Sequence, residues 1–198
     1  MSTSAKQPRM PYIEALRVLH ELRREELVVT TMGAAREWPK LSQSPLDFHY
    51  VPSAMGHAPA LALGFALAQP QREVIVLNGD GCTLMGLSSL VTIVASGAKN
   101  VTVVVMDNGI YEVTGGQTTA GGAIDVDFAG VARAAGFGNV HRFDNLATWR
   151  TTAAGILAQP GPRFMCLRVE PVGENFHLAP PEPISDGMRR VRATLASH

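Results

Sequence analysis

Apolar positions along this chain change their spacing from segment to segment, and the changes mark out alternating helices and strands. After Pro11, residues Tyr12, Leu16, Leu19 and Leu22 recur at intervals of three and four, which predicts an amphipathic helix. Leu27 to Met32 (LVVTTM) is a short run rich in β-branched residues that stops at Gly33 and predicts a buried first strand. Between Trp38 and Pro52, three prolines and scattered polar residues predict a loop. Pro59 to Ala68 (PALALGFALA) is apolar on every side and rich in small residues, so it predicts a helix that is buried and close to its neighbours. Further strands are expected at Val74 to Leu77, Val101 to Met106, Val140 to Phe143 and Phe164 to Val169. Further helices are expected at Leu84 to Ala95, closed by Gly97, at Phe128 to Ala135 and at Ala147 to Leu157. The glycine-rich segment Gly115 to Gly122 reads as mobile. From Pro171 to Pro183, four prolines predict a tail that wraps over the surface before a short terminal helix ending near Leu195.

Strands that alternate with helices, each strand nearly continuously apolar, imply an α/β fold: a three-layer, doubly wound parallel sheet covered on both faces. Right-handed crossovers fix its general topology. Ligands bind such sheets beyond the carboxyl ends of the strands. Polar and glycine residues gather at those ends, at Thr31 to Gly33, Asn78 to Cys82 and Asp107 to Gly109. No internal repeat or domain boundary is visible, so the expectation is one domain over residues 1–198, with flexible residues 1–10 and a proline-rich tail from about 171.

Composition narrows the function classes. Apolar residues make up 46% of the 198 and charged residues 17%, a balance that suits a packed core and argues against disorder. Seventeen basic residues match seventeen acidic ones, so no overall field attracts nucleic acid or a membrane surface, and weak self-repulsion favours self-association. Cys82 and Cys166 are the only cysteines, too few for a disulfide framework and without zinc-site spacing. With no signal-like segment and no apolar run of membrane-spanning length, a cytoplasmic location is expected.

Chemistry concentrates at Asp80, which lies between two glycines after a strand and before a helix. Glycine lets backbone approach a ligand, and a helix start offers free N–H groups to a phosphate. A carboxylate there repels phosphate unless a hard cation sits between them, and magnesium takes oxygen ligands of this kind. Asn108, 28 residues further on at the end of the next strand, can supply a neutral oxygen to the same ion. Asp-Gly and Asn-Gly are also ordinary turn formers, and either alone reads as a turn. Two of them closing successive buried strands read together as a metal–diphosphate site.

Asn78-Gly79-Asp80-Gly81 followed by Asp107-Asn108 resembles the signature of thiamine diphosphate enzymes, in which Gly-Asp-Gly precedes Asn-Asn by about one helix and one strand. Asp107 stands where the first Asn is usual, and Asn108 keeps the ligand position. The resemblance runs from about Leu27 to Val169 and matches the diphosphate-binding domain of these enzymes. It implies that Asp80, Asn108 and the carbonyl of Ile110 hold Mg2+, and that the N–H groups of Gly81 and Cys82 meet the diphosphate. Thr31, Gly33 and Ala34 would meet it from the first strand's end, and Gly79 and Tyr111 would flank the cofactor. Met55, 25 residues before Asp80, stands where the decarboxylase branch places the bulky residue that props the cofactor into its bent shape. Ser53 would offer its carbonyl to the cofactor's 4′-amino group. Without the motif, Met55 would read as a core methionine.

The segment from Asp107 to Gln117 (DNGIYEVTGGQ) is similar to the small subunit of sulfopyruvate decarboxylase and to phosphonopyruvate decarboxylase, which carry Gly-Gly-Gln after the metal turn. Thr114 occupies the place where pyruvate decarboxylases put a catalytic glutamate. Tyr111, Glu112, Thr114 and Gln117 either face the substrate or form a solvated loop. His57 is either a proton donor in the pocket or a helix-start histidine bonded to backbone. The family's activating glutamate belongs to a pyrimidine-binding domain, a block about as long as this whole chain. The resemblance therefore implies a partner subunit that supplies this Glu, most simply in an α2β2 assembly that decarboxylates a small 2-oxo acid. The alternatives are a carboligase resembling acetolactate synthase and a non-catalytic module that binds thiamine diphosphate.

Overall fold

The computed structural model describes residues 9–173 and 179–197, so residues 1–8 of the segment 1–10 expected to be flexible, and the part of the tail at 174–178, lie outside the described residues, while Met10 is buried and bridges to Val169. The chain runs α1 (Tyr12–Leu22), β1 (Leu27–Thr30), α2 (Met32–Glu37), β2 (Asp47–His49), α3 (Ala58–Ala68), β3 (Val74–Gly79), α4 (Asp80–Met85), α5 (Ser88–Ser96) and β4 (Val101–Asp107). A small hairpin, β5 (Ile110–Tyr111) and β6 (Gln117–Thr118), is followed by α6 (Ala120–Ile124), α7 (Phe128–Ala134), β7 (Asn139–Phe143), α8 (Leu146–Leu157), β8 (Arg163–Arg168) and α9 (Ile184–Ala196).

Six strands form one sheet in the order β2-β1-β3-β4-β8-β7, and every pairing is parallel. Alternate side chains of each strand enter opposite cores. Leu27, Val29, Val74, Val76, Val101, Val103 and Val105 pack beneath α3, α5, α7 and α9. Val28, Ile75, Leu77, Val104, Met106, Met165 and Leu167 pack beneath α1, α2 and α8. Both faces of the sheet are thus covered, which is the three-layer arrangement expected from near-continuous apolar strands. No helix among the described residues is long and apolar enough to cross a membrane.

Five regions depart from the sequence expectation. The chain turns helical at Met32, ahead of the glycine expected to stop the strand, with Met32 held at φ 50°. The segment expected as loop contains a 3-10 turn at Trp38–Lys40 and the edge strand β2. Its polar residues hid it, yet each is satisfied: Asp47 accepts from Arg23 Nη1 at 2.6 Å, Ser42 Oγ at 2.6 Å and Trp38 Nε1 at 3.0 Å. His49 Nδ1 shares a hydrogen bond of 2.8 Å with Thr30 Oγ1 on β1. The α3 helix is not buried all round, because Ala58, Ala62, Leu63 and Ala66 face the sheet while Ala60, Gly64 and Leu67 are exposed. The glycine-rich segment expected as mobile forms the second hairpin strand and α6.

The helix expected from Leu84 to Ala95 is two helices, broken at Gly86 and Leu87. Two glycines meet at the break. A Cβ on Gly86 would collide with the carbonyl of Gly56, so the two backbones meet where only glycine fits. This contact fastens the segment containing Ser53 and Met55 to the helix that begins at Asp80. Gly86→Ala is therefore expected to destabilise the protein by about 1–3 kcal/mol, the usual range for forced overpacking, read as a lowered midpoint in chemical denaturation.

Candidate functional site

The chain leaves β1 through α2, which covers one face of the sheet, and leaves β3 through α4 and α5, which lead onto the other. The two strands are neighbours, so their outgoing connections diverge and open a crevice at their carboxyl ends. A cavity of about 210 Å³ lies there. Gly33, Ser53, Met55, Gly79, Asp80, Gly81, Cys82, Asn108, Ile110, Tyr111 and Thr114, all singled out from sequence, line it. Thr31, Ala34 and His57 do not. Thr31 is buried at the start of α2, beside Cys82, and the N–H of Ala34 donates to the Thr31 carbonyl at 3.1 Å. His57 is exposed at the start of α3, and its side chain makes no capping bond.

Asp80 and Asn108 reach the cavity because β3 and β4 pair in register, with Gly79 opposite Met106. Asp80 is 1% exposed and its Oδ2 accepts from Thr119 Oγ1 at 2.7 Å. Burial raises its pKa to about 6, and the Thr119 bond opposes that shift. Asn108 is held at both ends of its amide: Nδ2 donates to Glu112 Oε2 at 2.7 Å, while Oδ1 accepts from the N–H of Ile110 at 3.0 Å. Asp107 points elsewhere. Its carboxylate lies 3.4 Å from Arg168 Nε, and burial raises its pKa against the opposing charges of Arg168, Arg9 and Arg142.

Several wall residues were not foreseen. Tyr12 was read as one of the helix's core positions, yet it lines the cavity, where its hydroxyl and a Glu112 oxygen converge on Gly33. Burial, then the charge of Glu112, raise its pKa, so it remains a neutral O–H donor. Met32 carries a left-handed backbone that costs a non-glycine residue about 1 kcal/mol, a strain typical of functional turns. Met106 and Val113 complete the apolar wall. For Tyr12 the only sequence signal was a phenol at the head of an otherwise aliphatic stripe. Glu112, open between substrate contact and solvated loop, is half-buried and bonded to Asn108 and to the backbone N–H of Val172.

The donor set suits a hard cation joined by an anionic ligand. It offers one carboxylate, one amide oxygen and backbone carbonyls, and no group of three or more His, Cys, Asp or Glu able to hold a metal occurs among the described residues. Backbone at Gly79 is open, with no atom within 4 Å of where a Cβ would sit, and Ser53 Oγ is buried without a partner. One feature opposes close approach: the Tyr111 ring lies against Gly81, filling the space beside its Cα.

An open parallel sheet with a cavity at the divergence of two strands defines a ligand-binding α/β domain. The chain belongs to the thiamine pyrophosphate enzyme family, matching the C-terminal TPP binding domain over residues 29–166. It is 36% identical over 196 residues to phosphonopyruvate decarboxylase of Streptomyces viridochromogenes, covering 98% of this chain and 48% of that one. To subunit beta of sulfopyruvate decarboxylase from Methanothermobacter thermautotrophicus it is 38% identical over 160 residues, covering 80% and 82%. The fold matches the crystal structure of benzoylformate decarboxylase from Polynucleobacter necessarius with a TM-score of 0.64 at 20% identity, over 79% of this chain and 32% of that one. The chain thus spans less than half the length of the phosphonopyruvate decarboxylase and most of the subunit.

Asp80 has a consequence for stability that can be measured without any ligand. Its folded pKa of about 6 exceeds the unfolded value near 4, so the folded chain holds the proton more tightly. Stability then falls as pH rises from about 4 to about 6, and the full penalty persists above that window. In chelator, Asp80→Asn should be more stable than wild type by about 1–3 kcal/mol at pH 8 and by little at pH 4. Denaturant titrations at the two pH values read the difference, and equal gains at both would exclude the proposed burial cost.

Proposed function

We propose that this cavity holds thiamine diphosphate through a magnesium ion, and that the chain is the diphosphate-binding part of a 2-oxo acid decarboxylase completed by a separate pyrimidine-binding subunit. The observation that carries the reading is the meeting of Asp80 and Asn108, from adjacent strand tips, in one cavity. Asp80, the amide oxygen of Asn108 and the carbonyl of Ile110 would serve as the cation's protein ligands. When bound, the cofactor supplies a carbon nucleophile and an electron sink for loss of CO2 from the substrate.

The residues around it have separable tasks. Met55 presents an apolar prop on the wall, and Ser53 stands beside it to bind the cofactor's amino group through its carbonyl. The N–H groups of Gly81, Cys82 and Gly33 would meet the diphosphate, and the Tyr111 ring, lying against Gly81, would flank it. The Cys82 thiol, pushed up by burial, stays protonated and leaves the diphosphate's charge unopposed. Tyr12 keeps its proton and offers an O–H to an anionic oxygen. Thr114, at the cavity's mouth, takes the place of a catalytic glutamate without its acidity.

A partner subunit finds support in two observations. The relative that this chain spans almost whole is by name one subunit, whereas phosphonopyruvate decarboxylase is about twice as long as the match. Leu67 on α3 and Met85, Leu87 and Val91 along α4 and α5 are also exposed apolar side chains on the sheet face that carries the Asp80 helix.

Calorimetry of the full chain with thiamine diphosphate and Mg2+, alone and with the pyrimidine-binding subunit, tests the reading. Wild type should bind and Asp80→Ala should lose at least about 10-fold in affinity, since one of two side-chain ligands is gone. Equal binding by both proteins would remove the proposal. Leu67→Glu should weaken subunit association without lowering the melting temperature of the isolated chain, because the side chain is 56% exposed. Product analysis with the partner present separates aldehyde release from carboligation.

A further inference from the structure

Glu112 has no role in the reading above, yet its contacts are specific. It follows the hairpin strand that carries Ile110, and one of its oxygens accepts from Asn108 Nδ2 while the other accepts from the N–H of Val172, beyond β8. At one end of the Asn108 amide, Glu112 Oε2 receives the NH2 group. At the amide's other end, the Ile110 N–H can meet only an oxygen. Asn108 is therefore specified twice, and the amide cannot turn over without setting donor against donor and acceptor against acceptor. An amide oxygen has two lone pairs, of which Ile110 uses one. The other remains for a cation.

We infer that Glu112 is a positioning residue that fixes the Asn108 amide with its oxygen toward the cation. The inference rests on the proposed cation site and adds to it the reason that a neutral ligand can be dependable there. An unrestrained Asn would present NH2 in a fraction of molecules, and that end repels a cation. The same carboxylate anchors the β5–β6 hairpin to the chain beyond β8, so the orienting group is held from outside the metal turn.

Replacement by Gln inverts the logic. The Val172 N–H still requires an oxygen, so Gln at position 112 would direct its NH2 at Asn108. Asn108 would then turn its oxygen toward residue 112 and its NH2 toward the cation. Mg2+ titration of the full chain in the presence of thiamine diphosphate, followed by calorimetry and by Mn2+ electron paramagnetic resonance, should show Glu112→Gln about 10- to 100-fold weaker than wild type, the range typical for residues that orient a metal ligand. Adding Asn108→Asp to Glu112→Gln should recover most of the loss, because a carboxylate has an oxygen at both ends and needs no orienting. A merely structural role for Glu112 would show no such rescue.

The outcomes separate cleanly. If Glu112→Gln binds the ion like wild type while Asp80→Ala does not, the positioning role is wrong and the cation site stands. If Asp80→Ala also binds like wild type, or if wild type binds no ion, the site itself is wrong and this inference goes with it. Should Glu112→Gln fail to fold, the 15N-labelled side chain of Asn108 in wild type decides: its NH2 signal should stay protected from solvent exchange when Mg2+ and cofactor are added, and loss of protection overturns the inference.

Discussion

The hydrogen-bonded register between β3 and β4 governs this molecule's chemistry. With Gly79 held opposite Met106, the two chains leave the sheet side by side, Asp80 one residue beyond the pair and Asn108 two residues beyond it. A shift of one residue would send each side chain to the opposite face of the sheet. Valine, isoleucine and leucine along β3 and valine and methionine along β4, buried on both faces, make such a shift costly, because the shifted strand's apolar side chains would exchange cores. Precision at the cavity is thus inherited from packing several residues away, where no catalytic group is present.

Around that register the protein builds by divergence. The connections after β1 and β3 depart toward opposite faces, and the gap they leave is the cavity. The Gly56–Gly86 contact brings in the segment with Ser53 and Met55, and Thr119 and Glu112 restrain the two polar side chains from the hairpin side. A cation or phosphate entering the site would therefore meet prearranged dipoles, the buried acid Asp80 and the half-buried Glu112, which is already bonded to Asn108. Asp80 resists ionisation when alone, because burial raises its pKa more than the Thr119 bond lowers it.

Much of this was legible in the chain. The strong strands announced themselves through β-branched runs, and the Gly-Asp-Gly and Asp-Asn turns closed them as expected. The pattern reading failed where local chemistry overrode periodicity. β2 reads as polar because Asp47 and His49 are satisfied by residues far away in sequence, such as Arg23 and Thr30. The segment around Gly86 reads as continuous helix, since the glycine that packs against it, Gly56, lies 30 positions earlier. Tyr12 escaped notice because an amphipathic stripe does not reveal which of its members looks into a hole in the core. These are all long-range facts, and a local window cannot contain them.

Asp107 shows a different kind of dependence. Where the family's signature has a neutral amide, this chain carries an acid, sunk beside Arg168, with Arg9 and Arg142 adding their charge and Arg168 also reaching Asp125. Exchanging the acid by itself would leave Arg168 with Asp125, whereas exchanging Arg168 by itself would take from the buried acid its nearest opposite charge. The acid at the end of β4 thus leans on the strand paired with it, β8, where Arg168 stands directly across the ladder.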